Sequence, residues 1–134
     1  MTTAARTTKY VIEVIDALQQ LTHATNADIY AKVCEKHSAV SLTTIHRVTA
    51  RLQRRGVIAS APKTPDGAER YDIQPRMHHH FMCTHCGGLC DIPDSDESKL
   101  LIERIARLSA SCQLTGALTL QGVCKQCITK EEKI

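Results

Sequence analysis

Apolar positions recur at helical spacing three times in the first half of the chain. Residues 11–21 carry such a stripe, which predicts a first helix of about three turns. Thr25, followed three residues later by Asp28, has the pattern of a capping box and predicts the start of a second helix. Ser41 can cap a third helix, and Gly56 stands where a left-handed residue would end it.

The pattern changes from helical to extended after Gly56. Residues 57–61 and 69–73 are expected to form two short strands. The segment between them is rich in proline, aspartate and glycine, which is typical of a hairpin loop. Three helices followed by a hairpin predict a winged-helix domain over residues 1–76.

The third predicted helix has a basic outer face. Residues 1–76 contain 11 Lys/Arg and 7 Asp/Glu, whereas residues 77–134 contain 6 and 7. In a helix-turn-helix the second helix enters the major groove of DNA, where hydroxyl and guanidinium groups reach bases and phosphates. An ordinary helix with a solvated polar face is the alternative. The candidate DNA-binding residues are Thr43, Thr44, His46, Arg47 and Arg51, whereas Arg54 and Arg55 are expected at most to contact phosphates.

Two matched cysteine pairs characterise the second half of the chain. Cys83 and Cys86 form the first pair, Cys124 and Cys127 form the second, and 37 residues separate the pairs. Each C-x-x-C pair is called a knuckle here, and two knuckles suit a closed tetrahedral zinc site. Redox use of a C-x-x-C pair is the main alternative. The long spacing requires an inserted helix, which the apolar pattern of residues 100–108 predicts. The other cysteines, Cys34, Cys90 and Cys112, are expected to be small core residues.

Three consecutive histidines precede the first knuckle, in what the pattern predicts to be a strand leading to Cys83. Because side chains alternate along a strand, His78 and His80 would share one face and His79 would point to the other. Imidazole nitrogens suit zinc, iron, copper and nickel, so this pair can begin a second metal site. A solvent-exposed histidine run without a ligand role is the alternative. The candidates to complete the site are Asp72, Asp91 and His23.

Composition narrows the class of protein. The chain has 134 residues and no apolar run near the roughly 18 residues that a membrane span needs, so a soluble protein is expected. Residues 1–6 lack the apolar stretch of a secretory signal, which favours the cytosol, where thiols stay reduced and thiolate–metal chemistry is favoured over disulfides. The H-x-E and P-C-x-x-C elements of zinc deaminases do not occur, so we expect no enzyme.

Several short segments resemble, in order and spacing, the ferric uptake regulator family of metal-dependent transcription regulators. The resemblance extends over nearly the whole chain. It lies in Asp28-Ile29-Tyr30, Leu42-Thr43-Thr44-Ile45-His46-Arg47-Val48, Gly56-Val57, Arg70-Tyr71-Asp72, His78-His79-His80-Phe81-Met82-Cys83, Cys86-Gly87 and Gly122-Val123-Cys124-Lys125-Gln126-Cys127.

The resemblance implies an α+β protein in which a winged-helix domain is hinged to an α/β dimerisation domain, here residues 77–134. It implies a structural zinc on the four paired cysteines and a homodimer that binds an inverted-repeat operator in double-stranded DNA, most often as a repressor. It also implies a sensory metal at the hinge. The implied sensory ligands are His23, Asp72, His78, His80 and Asp91. A third metal site is not expected, because residues 113–121 contain no histidine.

The identity of the sensory metal depends on how many of these ligands are used. Four of them, without Asp91, would satisfy zinc, whereas all five would suit the iron or manganese of a peroxide-sensing member. Three imidazoles capture zinc readily, and residues 111–115 resemble part of some zinc uptake regulators. We therefore expect zinc, with iron or manganese as the alternative. A zinc-stabilised interaction adaptor that does not bind DNA is a more distant alternative.

Overall fold

The computed structural model describes residues 9–109 and 113–132. The chain divides into two compact units, Met1–Arg76 and Met77–Ile134. Within the described ranges, no helix is long and apolar enough to cross a membrane. Cys112 and the start of segment 111–115 lie outside the described residues.

The first unit contains three helices and a small antiparallel sheet. The predicted helices and the hairpin are confirmed, whereas the short strand between the first two helices was not predicted. The elements are α1 (Val11–Leu21), β1 (His23–Thr25), α2 (Asn26–Cys34), α3 (Leu42–Arg54), β2 (Ala59–Ala61) and β3 (Arg70–Asp72). The strand order is β1-β3-β2, so the hairpin β2–β3 forms the wing and β1 pairs with its second strand.

Local capping interactions set where the helices of this unit begin and end. The Thr25 hydroxyl accepts a hydrogen bond from the Asp28 amide, and the Asp28 carboxylate accepts one from the Thr25 amide. Ser41 accepts from the Thr44 amide and caps α3. Gly56 has a φ of +73°, a conformation that costs glycine little and that lets the chain leave α3 for the wing.

The core of the first unit lies between the three helices. The inner face of α3 contributes Ile45, Val48 and Leu52, all buried, which leaves its polar face outside. One polar side chain, Thr49, is also fully buried on this face. Its hydroxyl donates a 2.7 Å hydrogen bond to the side-chain oxygen of Asn26, at the start of α2. This bond ties together the two helices of the helix-turn-helix.

The second unit is a three-stranded mixed sheet with two helices. Its elements are β4 (His80–Cys83), β5 (Leu89–Asp91), α4 (Asp96–Leu108), β6 (Thr119–Gly122) and α5 (Lys125–Glu132). The central strand β4 pairs antiparallel with β5 and parallel with β6. The predicted inserted helix is confirmed as α4. The strand before the first knuckle begins only at His80, so the prediction that all three histidines lie within it was wrong.

The second unit has little apolar core among its described residues. No side chain of α4 is buried, and four of its apolar residues are exposed: Leu100, Leu101, Ile105 and Leu108. The buried side chains on the sheet belong to β4, namely His80, Met82 and Cys83. Gly122 lies so close to Phe81 that an added Cβ would stand 2.8 Å from the ring. The winged helix followed by a small α/β unit confirms the predicted fold class.

Replacing Thr49 with valine should reduce the stability of the first unit. Valine keeps the shape of threonine but removes the hydroxyl that bonds to Asn26, so we expect a loss of about 1–2 kcal/mol in the free energy of unfolding. Urea unfolding of the metal-loaded chain, followed by circular dichroism, measures this loss. Thr43→Val, at an exposed position of the same helix, should cost less than about 0.5 kcal/mol. Equal losses in the two variants would contradict the role of the hydrogen bond.

Candidate metal centres and nucleic-acid interface

The four paired cysteines of the second unit converge on one point. Cys83 ends β4, Cys86 lies in the following turn, Cys124 follows β6 and Cys127 lies in α5. Their sulfur atoms all lie within 4.8 Å of one another. The sulfurs of Cys83 and Cys127 are 3.8 Å apart, and those of Cys86 and Cys124 are 3.9 Å apart.

These separations fit zinc. Four sulfurs at about 2.3 Å from a tetrahedral ion would be about 3.8 Å from each other. A disulfide would instead require about 2.05 Å. The four-cysteine cluster therefore has the donor set and the spacing of a structural zinc site.

Backbone amides polarise the cluster. The amides of Cys124 and Cys86 donate to the Cys83 sulfur at 3.3 Å and 3.4 Å, and they lower the pKa of Cys83 to about 6. The hydrogen bond with Cys124, together with burial, raises the pKa of Cys127 to about 12. A bound divalent cation reverses the second effect, because it stabilises every thiolate around it.

A second group of donors lies on the β4–β5 ladder of the second unit. The register pairs His80 with Asp91. Nε2 of His78 lies 3.0 Å from the carboxylate of Asp91, and Nε2 of His80 lies 3.4 Å from the same oxygen. The ring centroids of the two histidines are 4.4 Å apart. His78 and His80 thus share one face even though His78 precedes the strand.

His79 has a different partner. Its Nδ1 accepts a 2.8 Å hydrogen bond from the backbone amide of Leu118, just before β6. In a neutral imidazole the proton must then be on Nε2, so neither nitrogen of His79 has a lone pair left for a metal. His79 therefore anchors the chain leading into β6. The sequence indicated a separate role for His79, because side chains alternate along an extended chain and its neighbours His78 and His80 point to the opposite face.

The first unit contains a third group of donors, where β1 pairs with β3. The register pairs His23 with Asp72, and Nε2 of His23 lies 3.3 Å from the Asp72 carboxylate. Asp72 is only 1% exposed, and its other oxygen accepts a 2.8 Å hydrogen bond from the Gln74 amide. The unpredicted strand β1 is what brings His23 beside this carboxylate.

The outer face of α3 forms one wall of a groove of about 820 Å³ in the first unit. Thr43, His46 and Arg47 line it, whereas Thr44 shares a hydrogen bond with the capping Ser41 and Arg51 lies outside it. The sequence did not identify Ala50 or Glu69 as candidate DNA-binding residues, and it predicted for Arg54 at most a contact with DNA phosphates. All three line the groove. For Arg54 the signal was its spacing of seven residues from Arg47, which places both on one helix face.

Replacing Cys83 with serine should remove the metal from the four-cysteine cluster and unfold the second unit, because binding free energy is folding free energy in such a small metal domain. Elemental mass spectrometry and thermal unfolding measure the two effects. Cys90→Ser is the matched control, since Cys90 is exposed on β5 and lies outside the cluster. A Cys83→Ser protein with unchanged zinc content and melting would contradict the assignment.

Acidification should weaken zinc binding at this cluster. In the metal-free protein Cys127, with a pKa near 12, stays protonated across the neutral range, so binding must displace its proton. Cys83, with a pKa near 6, is already mainly a thiolate at pH 7. It contributes a second displaced proton only when the pH falls to about 6 or below. The affinity should therefore rise about tenfold or more per pH unit between pH 7 and 8. Competition with a chromophoric chelator measures it, and a pH-independent affinity would be inconsistent with this proton balance.

Comparison with known proteins agrees with these features. The model of the ferric uptake regulator family matches residues 2–114. The ferric uptake regulation protein of Bordetella parapertussis is 23% identical over 119 residues, which cover 87% of this chain and 84% of that protein. The peroxide operon regulator of Bacillus subtilis is 27% identical over 116 residues, which cover 85% of this chain and 77% of that protein.

The fold is also found among solved structures. The ferric uptake regulator of Helicobacter pylori superimposes with a TM-score of 0.71 at 20% identity, over 90% of this chain and 80% of that one. Members of the family are transcription regulators rather than enzymes, so the predicted class of protein is supported. The family match extends over most of the sequence, and we conclude that the chain belongs to the ferric uptake regulator family of metal-responsive transcription regulators.

Proposed function

We propose that the protein is a metal-dependent repressor that binds an inverted-repeat operator as a homodimer. Residues 1–76 would bind the DNA, with α3 in the major groove and Thr43, His46 and Arg47 reaching base edges. Thr44 and Arg51 would contact the flanking backbone. The excess of basic residues in this half supports the assignment, because phosphate contacts supply much of the affinity for DNA.

Residues 77–134 would provide the dimer interface and part of the metal sensor. The exposed leucines of α4 and Leu120, which is 51% exposed on the edge strand β6, support a self-association surface. Two-fold dimers match the symmetry of inverted repeats, since each winged helix reads one half-site. We infer that the protein acts in the cytoplasm, where its cysteines remain reduced.

The sensory site would use ligands from both units. The observation that carries this proposal is that each unit separately holds histidine Nε2 atoms beside a carboxylate: His23 with Asp72 in the first unit, and His78 and His80 with Asp91 in the second. Only five residues separate Asp72 from His78 in the chain. One ion could therefore be held by both groups without a long connecting loop.

Joint ligation would couple metal to DNA through the hinge. Ligands from both units restrict the angle between them only while all of them hold the same ion, so the metal favours the arrangement in which its ligands converge. If that arrangement binds the operator better, the operator must strengthen metal binding by the same factor. A coupling of about 1–3 kcal/mol would change DNA affinity roughly 5- to 150-fold.

Zinc is the proposed metal at both sites. The structural site has four thiolate donors, which zinc favours. At the sensory site three imidazoles and Asp72 complete a four-coordinate zinc shell, and divalent iron and manganese bind such nitrogen donors more weakly. The corresponding physiological role would be the control of zinc uptake.

An iron- or manganese-dependent peroxide sensor is the second candidate. Asp91 favours it, because its carboxylate lies against both His78 and His80 and would give the site a fifth donor. Similarity to the peroxide operon regulator of Bacillus subtilis also supports it. Titration of operator binding with zinc, iron(II) and manganese separates the candidates: a response only to iron(II) or manganese would favour the peroxide sensor.

Replacing His80 with alanine should abolish the metal response while leaving the four-cysteine site loaded. His80 supplies a sensory ligand but lies outside the sulfur cluster, so the variant should keep one zinc per chain and lose the 5- to 150-fold gain in operator affinity. Fluorescence anisotropy with a labelled duplex, selected by the parent protein from a random library, measures the affinity with and without added metal.

The matched control is His85→Ala, since His85 is exposed in the first knuckle and is not a proposed ligand. Its metal response should equal that of the parent. If His80→Ala responds as the parent does, the hinge-site proposal is wrong. If the parent itself selects no duplex, the protein does not act through DNA and the adaptor alternative stands.

A further inference from the structure

We propose that Glu69 is a specificity-determining residue of the DNA-binding groove, where it disfavours sequences other than the operator. The inference rests on the proposed DNA binding by the first unit. It adds a residue from the wing to a recognition surface that the sequence placed on α3 alone.

The backbone of the wing turns Glu69 toward α3. Glu69 and Tyr71 are two residues apart, so they share one face of the extended segment, and both line the groove opposite α3. Arg70, between them, turns the other way and donates to the carbonyl oxygens of Pro62 and Lys63 at 2.9 Å and 3.2 Å. These two bonds fix the wing strand and therefore the side on which Glu69 emerges.

The groove is otherwise lined by groups suited to a polyanion. Arg47 and Arg54 face it from α3, together with His46. Glu69 is the acidic side chain among its lining residues, and it is exposed. Among the described residues, no hydrogen bond or ion pair joins Glu69 to these cations, so its carboxylate has no direct partner in the groove.

A carboxylate without a direct partner affects different DNA sequences differently. Any duplex that binds against α3 brings phosphates near the groove, and the Glu69 carboxylate repels them. A base that presents an amino group, such as cytosine N4, donates a hydrogen bond to the carboxylate and offsets this repulsion. A DNA sequence without such a base at this position makes no compensating hydrogen bond. Glu69 therefore lowers the affinity for that sequence more than the affinity for the operator.

The test compares two charge-neutralising variants on two duplexes, using the whole zinc-loaded chain. One duplex is selected by the parent from a random library, and the other has the same length and base composition in scrambled order. Glu69→Gln keeps the shape of the side chain but removes its charge. Glu35→Gln makes the same charge change in the same unit, at an exposed residue outside the groove that pairs with Lys32.

We expect Glu69→Gln to bind the scrambled duplex about threefold to tenfold more tightly and to lower the ratio of selected to scrambled affinity by at least about threefold. Glu35→Gln should change that ratio by less than about twofold. A Glu69→Gln ratio that is unchanged or increased, or an equal decrease in both variants, would overturn the inference. A parent that does not distinguish the two duplexes would instead overturn the proposed function.

Discussion

The second unit depends on the convergence of four sulfur atoms, because its described residues provide little else to hold it together. Its helix α4 buries no side chain, and the buried positions on the sheet are confined to β4. The cluster joins the end of β4 to the start of α5, which are 44 residues apart at Cys83 and Cys127. With zinc bound, the cluster would cross-link these segments and supply stability that a larger apolar core supplies in other small domains. His80 begins the strand that Cys83 ends, so the same cross-link also positions a proposed sensory ligand.

The first unit is stabilised in a different way. Its three helices enclose an apolar core, and the fully buried hydroxyl of Thr49 is paired with Asn26. Asp72 is a costly group to bury, since a carboxylate with 1% exposure requires partners. It has His23 on one side and the Gln74 amide on the other. The pair lies where β1 meets β3, so the metal ligation that we propose for it would act on the second strand of the wing.

The three consecutive histidines show how one short motif serves two purposes. His78 and His80 face the carboxylate of Asp91, whereas His79 accepts the Leu118 amide and so holds the parallel pairing of β4 with β6. The alternation of side chains separates these roles. A metal bound by His78 and His80 would therefore be held on one face of this segment. His79, on the other face, bonds to the chain that leads into β6 and the second cysteine pair.

The sequence by itself determined the features that depend on neighbours in the chain. Capping at Thr25 and Ser41, the left-handed end at Gly56 and the two C-x-x-C knuckles are all local, because each involves residues within four positions of one another. Only the tertiary structure decided which distant groups meet. Strand β1 has no sequence signal of its own, since three residues are too few for a periodicity, and it exists because β3 offers it a partner. Likewise, the sequence does not distinguish Glu69 from the other acidic residues. Its orientation toward α3 follows from the pairing of the wing strands, which a local sequence pattern does not determine.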